Sequence, residues 1–405
     1  MKNRQILTRW ADENKKSLVT ELREIDIPSL APGEILVKNL YVPMHGSFWL
    51  ASHPHALHPR KNEFLEAGSF VFGNGGVAQV VDSREDEREV RVGDYVNVFG
   101  HIPCYNYDCY GCKVLHRYTE CDYGKGGIIG HGKDAPDGTY AEYTVLPRYS
   151  YDVCYREDEK PGKEDLLPYM FGFLLADVRN ALTRHPDALR TRRLFLVGAG
   201  YSGQIAAYIF HRTSPESQIF AIDVFEERLN RLKQISPKGI ETYCIPEKVA
   251  SQLNSAEPKL GFRNELAETI KDIAGNASKF FGGKKINLLF DSSSGNSAPL
   301  WDNRQILGPN TIAIPFGFGS EYVLLNKELI QNSGLNVLMS RGVGNIRNRK
   351  ETLQLIRSGG GRFVNDFLVS ESKELNGIDA AMDFINEMYN PPRPLFEIEH
   401  AYISF

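Results

Sequence analysis

The chain has 405 residues, 42% of them hydrophobic and 24% charged, with a formal net charge of −4. That length exceeds one ordinary core and suits two domains, and the mild acidity gives no general attraction to nucleic acid or to an anionic membrane. No run approaches the roughly 20 apolar residues that span a bilayer, and the opening "MKNRQILTRWADENKK" has no signal-type apolar stretch; a cytoplasmic protein with a small-molecule partner is expected.

The first 150 or so residues alternate short β-type runs with turns. "EILVKNLYV" (34–42), "GVAQVVDS" (76–83) and "GDYVNVFG" (93–100) read as strands, and "APGE" (31–34), "RVGD" (91–94) and "DAPDGT" (134–139) as turns. The pattern predicts a largely antiparallel β domain. It changes near residue 165. "RLFLVGAGYSGQIAAYIF" (193–210) runs from an apolar strand through glycines into a helix, followed by a strand "QIFAID" (218–223) and a helix "VFEERLNRLKQI" (224–235). Further strands are predicted at 241–245, 286–291, 311–316 and 335–340, so strands alternate with helices as in a parallel, doubly wound sheet. In the last 60 residues, "NRKETLQLIRSG" reads as a helix and "LFEIEHAYISF" as a terminal strand. The basic stretch "RHPDALRTRR" (184–193) reads as a solvated helix and turn.

Four of the six cysteines fall in "CYNYDCYGCKVLHRYTEC" (104–121). In a reducing cytosol such a cluster points to metal or redox chemistry rather than disulfides. Cys154 and Cys244 stand alone and are expected to be buried as small apolar residues.

"VGAGYSG" (197–203) supplies Gly198, Gly200 and Gly203 in a G-x-G-x-x-G pattern with a strand before it and a helix after it. The first glycine permits the tight turn, the second lets the backbone approach a pyrophosphate, and the third lets the helix pack close to the sheet. Tyr201 and Ser202 open the helix, whose first amides face anionic oxygens. Asp223 ends the next strand, 20 residues after Gly203. A carboxylate there accepts from the adenosine ribose and repels a 2′-phosphate, which favours NAD(H) over NADP(H). Arg228, a turn further on, tempers that preference, since it could reach a phosphate or cover the adenine.

With "PGEILVK" (32–38), "VRVGDYVNV" (90–98), "DGTYAEYTVLP" (137–147) and this fingerprint, the chain resembles the medium-chain dehydrogenase/reductase superfamily, which includes zinc alcohol dehydrogenases, quinone reductases and enoyl-thioester reductases. The resemblance implies an α/β fold in which a GroES-like β-rich domain (1–165, with the cysteine lobe) is followed by a Rossmann domain (166–342) and a return to the first domain (343–405). It further implies that cofactor and substrate meet between the domains, and that the protein is a homodimer. Zinc-bearing members hold a structural zinc in a C-x2-C-x2-C-x7-C lobe. Here Cys104, Cys109, Cys112 and Cys121 follow C-x4-C-x2-C-x8-C, so the resemblance implies a closed structural zinc, with Cys104 the ligand whose spacing departs most.

The family's catalytic zinc ligands have no counterpart. Met44 stands at the position of the cysteine, Asn74 and Gly75 stand at those of the His-Glu pair, and "FGFLLADVRNAL" (171–182) has neither cysteine nor histidine. These side chains do not make an ordinary zinc site. "GNGGVAQVV" (73–81) is similar to a stretch of the enoyl-thioester reductases, which need no metal. Without a Lewis acid, hydrogen-bond donors must meet the substrate oxygen. Ser47 and His45, beside the lost cysteine position, are candidates for a proton relay, with Asp177 a candidate polar contact near Arg179. Each has a plainer reading as a turn residue or a local ion pair. Tyr41 and Trp49 read more simply as core, and the three histidines of "SHPHALHPRK" (52–61) as a loop. Ser292, in "DSSS" (291–294), and Phe316, in "PFGFG" (315–319), end two strands and are expected on the nicotinamide side. The expectation is an NAD(H)-dependent oxidoreductase acting on a small carbonyl/alcohol pair without catalytic zinc. The alternatives are a C=C reductase, or a non-catalytic NAD-binding protein used for sensing or assembly.

Overall fold

The structure is a computed structural model. It describes the chain except residues 1, 11–17, 45–67, 87, 105, 107, 115–120, 122–126, 131–134, 186, 254–261, 294–305, 317–334, 338–343 and 390–399. Two compact units are formed, one from Met1–Ala176 with Gly342–Phe405, the other from Asp177–Arg341.

The first unit is built on a seven-stranded sheet. Its strands run in the order Tyr151–Tyr155, Tyr95–Val98, Gly76–Ser83, Glu34–Pro43, Ala401–Ser404 and Lys373–Asn376, and Tyr143–Pro147 also pairs with Glu34–Pro43. All neighbours are antiparallel except the last two strands of the order, which are parallel. The two C-terminal strands thus complete a sheet begun by the first 150 residues. Alternation within the strands puts Ile35, Val37, Ala78, Val80, Val96, Val98 and Leu146 into one apolar cluster. A separate three-stranded sheet, Leu18–Asp26, Lys2–Trp10 and Ser69–Val71, shares a second cluster with the helix Gly377–Tyr389. That helix contributes Ile378, Ala381, Phe384, Ile385 and Met388, a spacing that makes one helical stripe.

The returning segment is pinned by buried arginine chemistry. Arg349, on the helix Ile346–Leu355, is 1% exposed. Its Nε lies 3.0 Å from Asp152 Oδ2, its Nη1 donates to the Tyr149 carbonyl at 2.5 Å, and its guanidinium sits 5.1 Å from the Phe99 ring centre. Eight residues on, Arg357 donates to the Cys154 carbonyl at 2.6 Å and lies over the Tyr155 ring. Both therefore grip the strand Tyr151–Tyr155.

The second unit is a six-stranded parallel sheet in the order Ile240–Cys244, Gln218–Asp223, Arg193–Val197, Ile286–Asp291, Leu307–Pro315 and Asn336–Val337. In chain order this is 3-2-1-4-5-6, the doubly wound arrangement whose ligand site lies at the carboxyl ends of the strands where the order reverses. The strands are near-continuous apolar runs because both faces are covered. The fifth strand starts four residues before the expected 311. The sixth is two residues long, and 338–340 lie outside the described residues. One expectation is corrected. Cys154 is buried, but Cys244 is exposed, because it ends the edge strand of this sheet, where only one side has a neighbour. No helix among the described residues is long and apolar enough to cross a membrane.

Candidate functional site

The turn between the first strand of the parallel sheet and the helix Tyr201–Thr213 is held at nearly every backbone polar group. Gly198 has φ +88°, a left-handed conformation that a side chain would strain. Its amide donates to the Ile222 carbonyl at 2.9 Å. The Ala199 amide donates to Asp223 Oδ2 at 2.6 Å, and the Ala199 carbonyl accepts from Gln204 Nε2 at 3.1 Å. A Cβ on Gly203 would collide with the Gly198 carbonyl oxygen, so the third glycine is needed for the helix to pack so near the turn. A Cβ on Gly200 would meet nothing within 4 Å. Gly200 therefore faces open space at the helix start, where the first amides have no carbonyl one turn back. That combination of space and donors fits an anionic diphosphate.

Asp223 is 7% exposed. Besides Ala199, it accepts from the Phe225 amide at 2.9 Å through Oδ1. Each carboxylate oxygen retains a second acceptor site, so the residue can hold the turn and still receive a ribose hydroxyl. Arg228 lies over the Phe225 ring, 4.5 Å from its centre, a cationic and aromatic edge just past Asp223.

Ser292 follows the strand Ile286–Asp291. Its amide donates to the Val197 carbonyl at 2.8 Å, and its Oγ lies 2.8 Å from the Gly198 carbonyl oxygen and 3.1 Å from that of Val197. Its hydroxyl is thus spent on the glycine turn. Phe316 stacks on Phe290 at 5.2 Å, and its amide donates to the Asp291 carbonyl at 2.7 Å. The structure therefore brings Gly198, Gly200, Tyr201, Ser202, Gly203, Asp223 and Ser292 to one end of the sheet. Gln204, absent from the sequence reading, belongs with them. Its signal was weak, since a glutamine one residue past the third glycine looks like any helical position.

In the first unit, the sulfur atoms of Cys104, Cys109, Cys112 and Cys121 all lie within 4.8 Å of one another. Tetrahedral zinc with sulfur at about 2.3 Å requires S–S separations of about 3.8 Å, and the Cys109–Cys121 pair stands at 3.8 Å. The backbone supports sulfur as an acceptor: the Cys112 amide points at Cys109 Sγ (3.4 Å) and the Cys104 amide at Cys112 Sγ (3.5 Å). Burial pushes the Cys104 and Cys112 thiols above their ordinary range, a cost that a bound cation offsets by stabilising thiolates. Four soft donors with no open position could hold a structural zinc. The longer first gap is accommodated, since Cys104 is in the cluster.

At the family's substrate-side metal positions the chemistry differs. Met44 is buried in the apolar cluster with Ile6, Val42 and Phe70. Asn74 is 6% exposed, and its Oδ1 has no hydrogen-bond partner among the described residues. A thioether packed in a core, a carboxamide and a glycine are a poor donor set for zinc. His45, Ser47 and Trp49 lie outside the described residues, as do the three histidines of 52–61. Tyr41 is half-buried and meets Tyr402 edge-on at 6.3 Å. Asp177 is buried and Arg179 half-buried on the helix Gly172–Thr183.

Against known proteins, the alcohol dehydrogenase GroES-like domain family matches residues 31–154. The chain is 31% identical over 139 residues to L-threonine 3-dehydrogenase of Thermococcus kodakarensis, covering 33% of this chain and 35% of that protein. It thus spans about a third of that relative's length. Among solved structures it is similar to an alcohol dehydrogenase from Thermotoga maritima (TM-score 0.73, 15% identity, 100% of this chain and 99% of that one). It is also similar to acetophenone reductase from Geotrichum candidum in complex with NAD (TM-score 0.67, 14% identity, 100% and 97%). At these identities the structural likeness speaks for the fold.

Proposed function

As the chain belongs to the medium-chain dehydrogenase/reductase superfamily, we propose that it is an NAD(H)-dependent oxidoreductase of small alcohols and carbonyl compounds, with zinc only in the four-cysteine lobe. The observation that carries this reading is the glycine turn, whose polar groups are tied to Asp223, Gln204 and Ser292 while Gly200 faces open space. The lobe's zinc would be held by Cys104, Cys109, Cys112 and Cys121 and would stabilise a loop. The dinucleotide, when bound, supplies the carbon that takes or gives hydride. The turn and the helix start seat its diphosphate, and Asp223 accepts from its ribose and disfavours a 2′-phosphate. In the oxidative direction an alcohol loses hydride to the nicotinamide and its hydroxyl proton to a base, giving a carbonyl compound, reduced dinucleotide and a proton. Ser47 and His45 are proposed as the relay for that proton, and Asp177 as a polar contact for the substrate. A C=C reductase is the second reading, favoured by the "GNGGVAQVV" stretch (73–81), where Asn74 stands at the position of a metal-binding residue. We further place the protein in the cytoplasm as a homodimer, following the family.

The test is a fluorescence titration with NADH, followed by a spectrophotometric screen with L-threonine, simple alcohols, aldehydes, ketones and enoyl thioesters. Saturable NADH binding with turnover of an alcohol/carbonyl pair is expected. Turnover of enoyl thioesters alone moves the assignment to the second reading. Binding without turnover of any of them favours a sensing or assembly role, and no binding contradicts the proposal.

A further inference from the structure

We propose that Ser292 is a positioning residue, which fixes the shape of the diphosphate turn and does not read the nicotinamide ring. The inference rests on the nucleotide reading given above. Ser292 is placed twice over. Its amide is bonded to Val197, and the residue after it is locked, because Asp291 Oδ1 accepts both the Ser293 amide (2.9 Å) and the Ser293 hydroxyl (2.7 Å). Its Oγ is thereby wedged into the turn: a Cβ on Gly198 would lie 2.9 Å from it, and one on Gly203 3.1 Å. A hydroxyl has one proton to donate. Its nearest acceptor is the Gly198 carbonyl at 2.8 Å, with the Val197 carbonyl at 3.1 Å.

The turn is therefore braced from three sides by side chains of three different elements. Asp223 of the second strand holds the Ala199 amide, Gln204 of the helix holds the Ala199 carbonyl, and Ser292, past the fourth strand, holds the Gly198 carbonyl. All three spend polar atoms on the turn's own backbone, so the seat is shaped during folding and less ordering is left to oppose binding. Ser292 of "DSSS" thereby acquires a role in that bracing. The effect must follow the diphosphate, because that is the group the turn receives.

The experiment compares wild type, Ser292→Ala and Gln204→Leu, each titrated with NADH, ADP-ribose and adenosine, with the melting temperature of each unliganded protein recorded. Both variants are expected to bind NADH and ADP-ribose about tenfold more weakly, the loss of one hydrogen bond, to the same extent for the two ligands. Adenosine affinity should stay unchanged. A general loosening of the unit would lower adenosine binding as well, and that result overturns the proposal. So does a loss confined to NADH, which would mean that Ser292 touches the nicotinamide end, and so does unchanged affinity in Ser292→Ala. Wild type that binds none of the three ligands overturns the nucleotide reading itself, an outcome distinct from a silent variant.

Discussion

Asp223 carries two tasks in one carboxylate. One oxygen accepts from Ala199 and the other from Phe225, and the remaining acceptor sites face a ribose in the proposed complex. Asp223→Asn keeps the size but turns one acceptor into a donor. An amide hydrogen then confronts a backbone N–H, and the charge that repels a 2′-phosphate is lost. NADH affinity is expected to fall about tenfold, the scale of one charge-assisted hydrogen bond, and NADPH affinity to fall less, so the two converge. Parallel titrations check this, and an unchanged preference for NADH would place the discrimination elsewhere. The fingerprint glycines and Asp223 were legible in the sequence because each answers a backbone or charge requirement at a fixed spacing. Gln204 and the turn-bracing role of Ser292 were not, because their partners are main-chain atoms that only the fold brings near.

At the scale of elements, strands 76–83, 218–223 and 286–291 were legible residue for residue, since each apolar run is bounded by turn formers. The helix Gly377–Tyr389 was missed: its stripe makes sense only once Ile6, Val42 and Phe70 are seen beneath it. Cys244 was misjudged because edge position is a property of sheet order, which one strand does not encode. The buried contact between Arg349 and Asp152 was invisible for a similar reason, as the two are far apart in sequence. Burial raises the Asp152 carboxyl above its ordinary range while Arg349 pulls it back down. Arg349→Met removes the stronger of the two cations acting on that carboxylate, leaving only Lys350, and a loss of about 3 kcal/mol is expected, the low end for a broken buried pair. A raised folded value means that the neutral acid is the form the fold tolerates. The variant's deficit should therefore be least in the ordinary carboxylate range and grow as pH rises through the elevated value of Asp152. Chemical denaturation of both proteins across pH checks this, and a pH-independent deficit would show that packing on Phe99 and the bond to Tyr149 dominate.

For the whole molecule, length pointed to two domains and strand–helix alternation to the doubly wound sheet; the chain forms two compact units, the second of which, Asp177–Arg341, carries the six-stranded parallel sheet. The cysteine lobe was legible as a cluster, though its first gap departs from the family spacing. At the proposed substrate end the sequence reading rests on missing zinc ligands. Among the described residues at those positions, Met44 is packed in a core and Asn74 Oδ1 has no hydrogen-bond partner, and His45 and Ser47 lie outside the described residues. The most direct test is the zinc content of purified protein in its most active fraction. One zinc per chain, lost together with the cysteine lobe in a Cys109→Ser variant, is the predicted result. Two per chain, the second surviving that substitution and required for turnover, would contradict hydride transfer without a metal at the substrate.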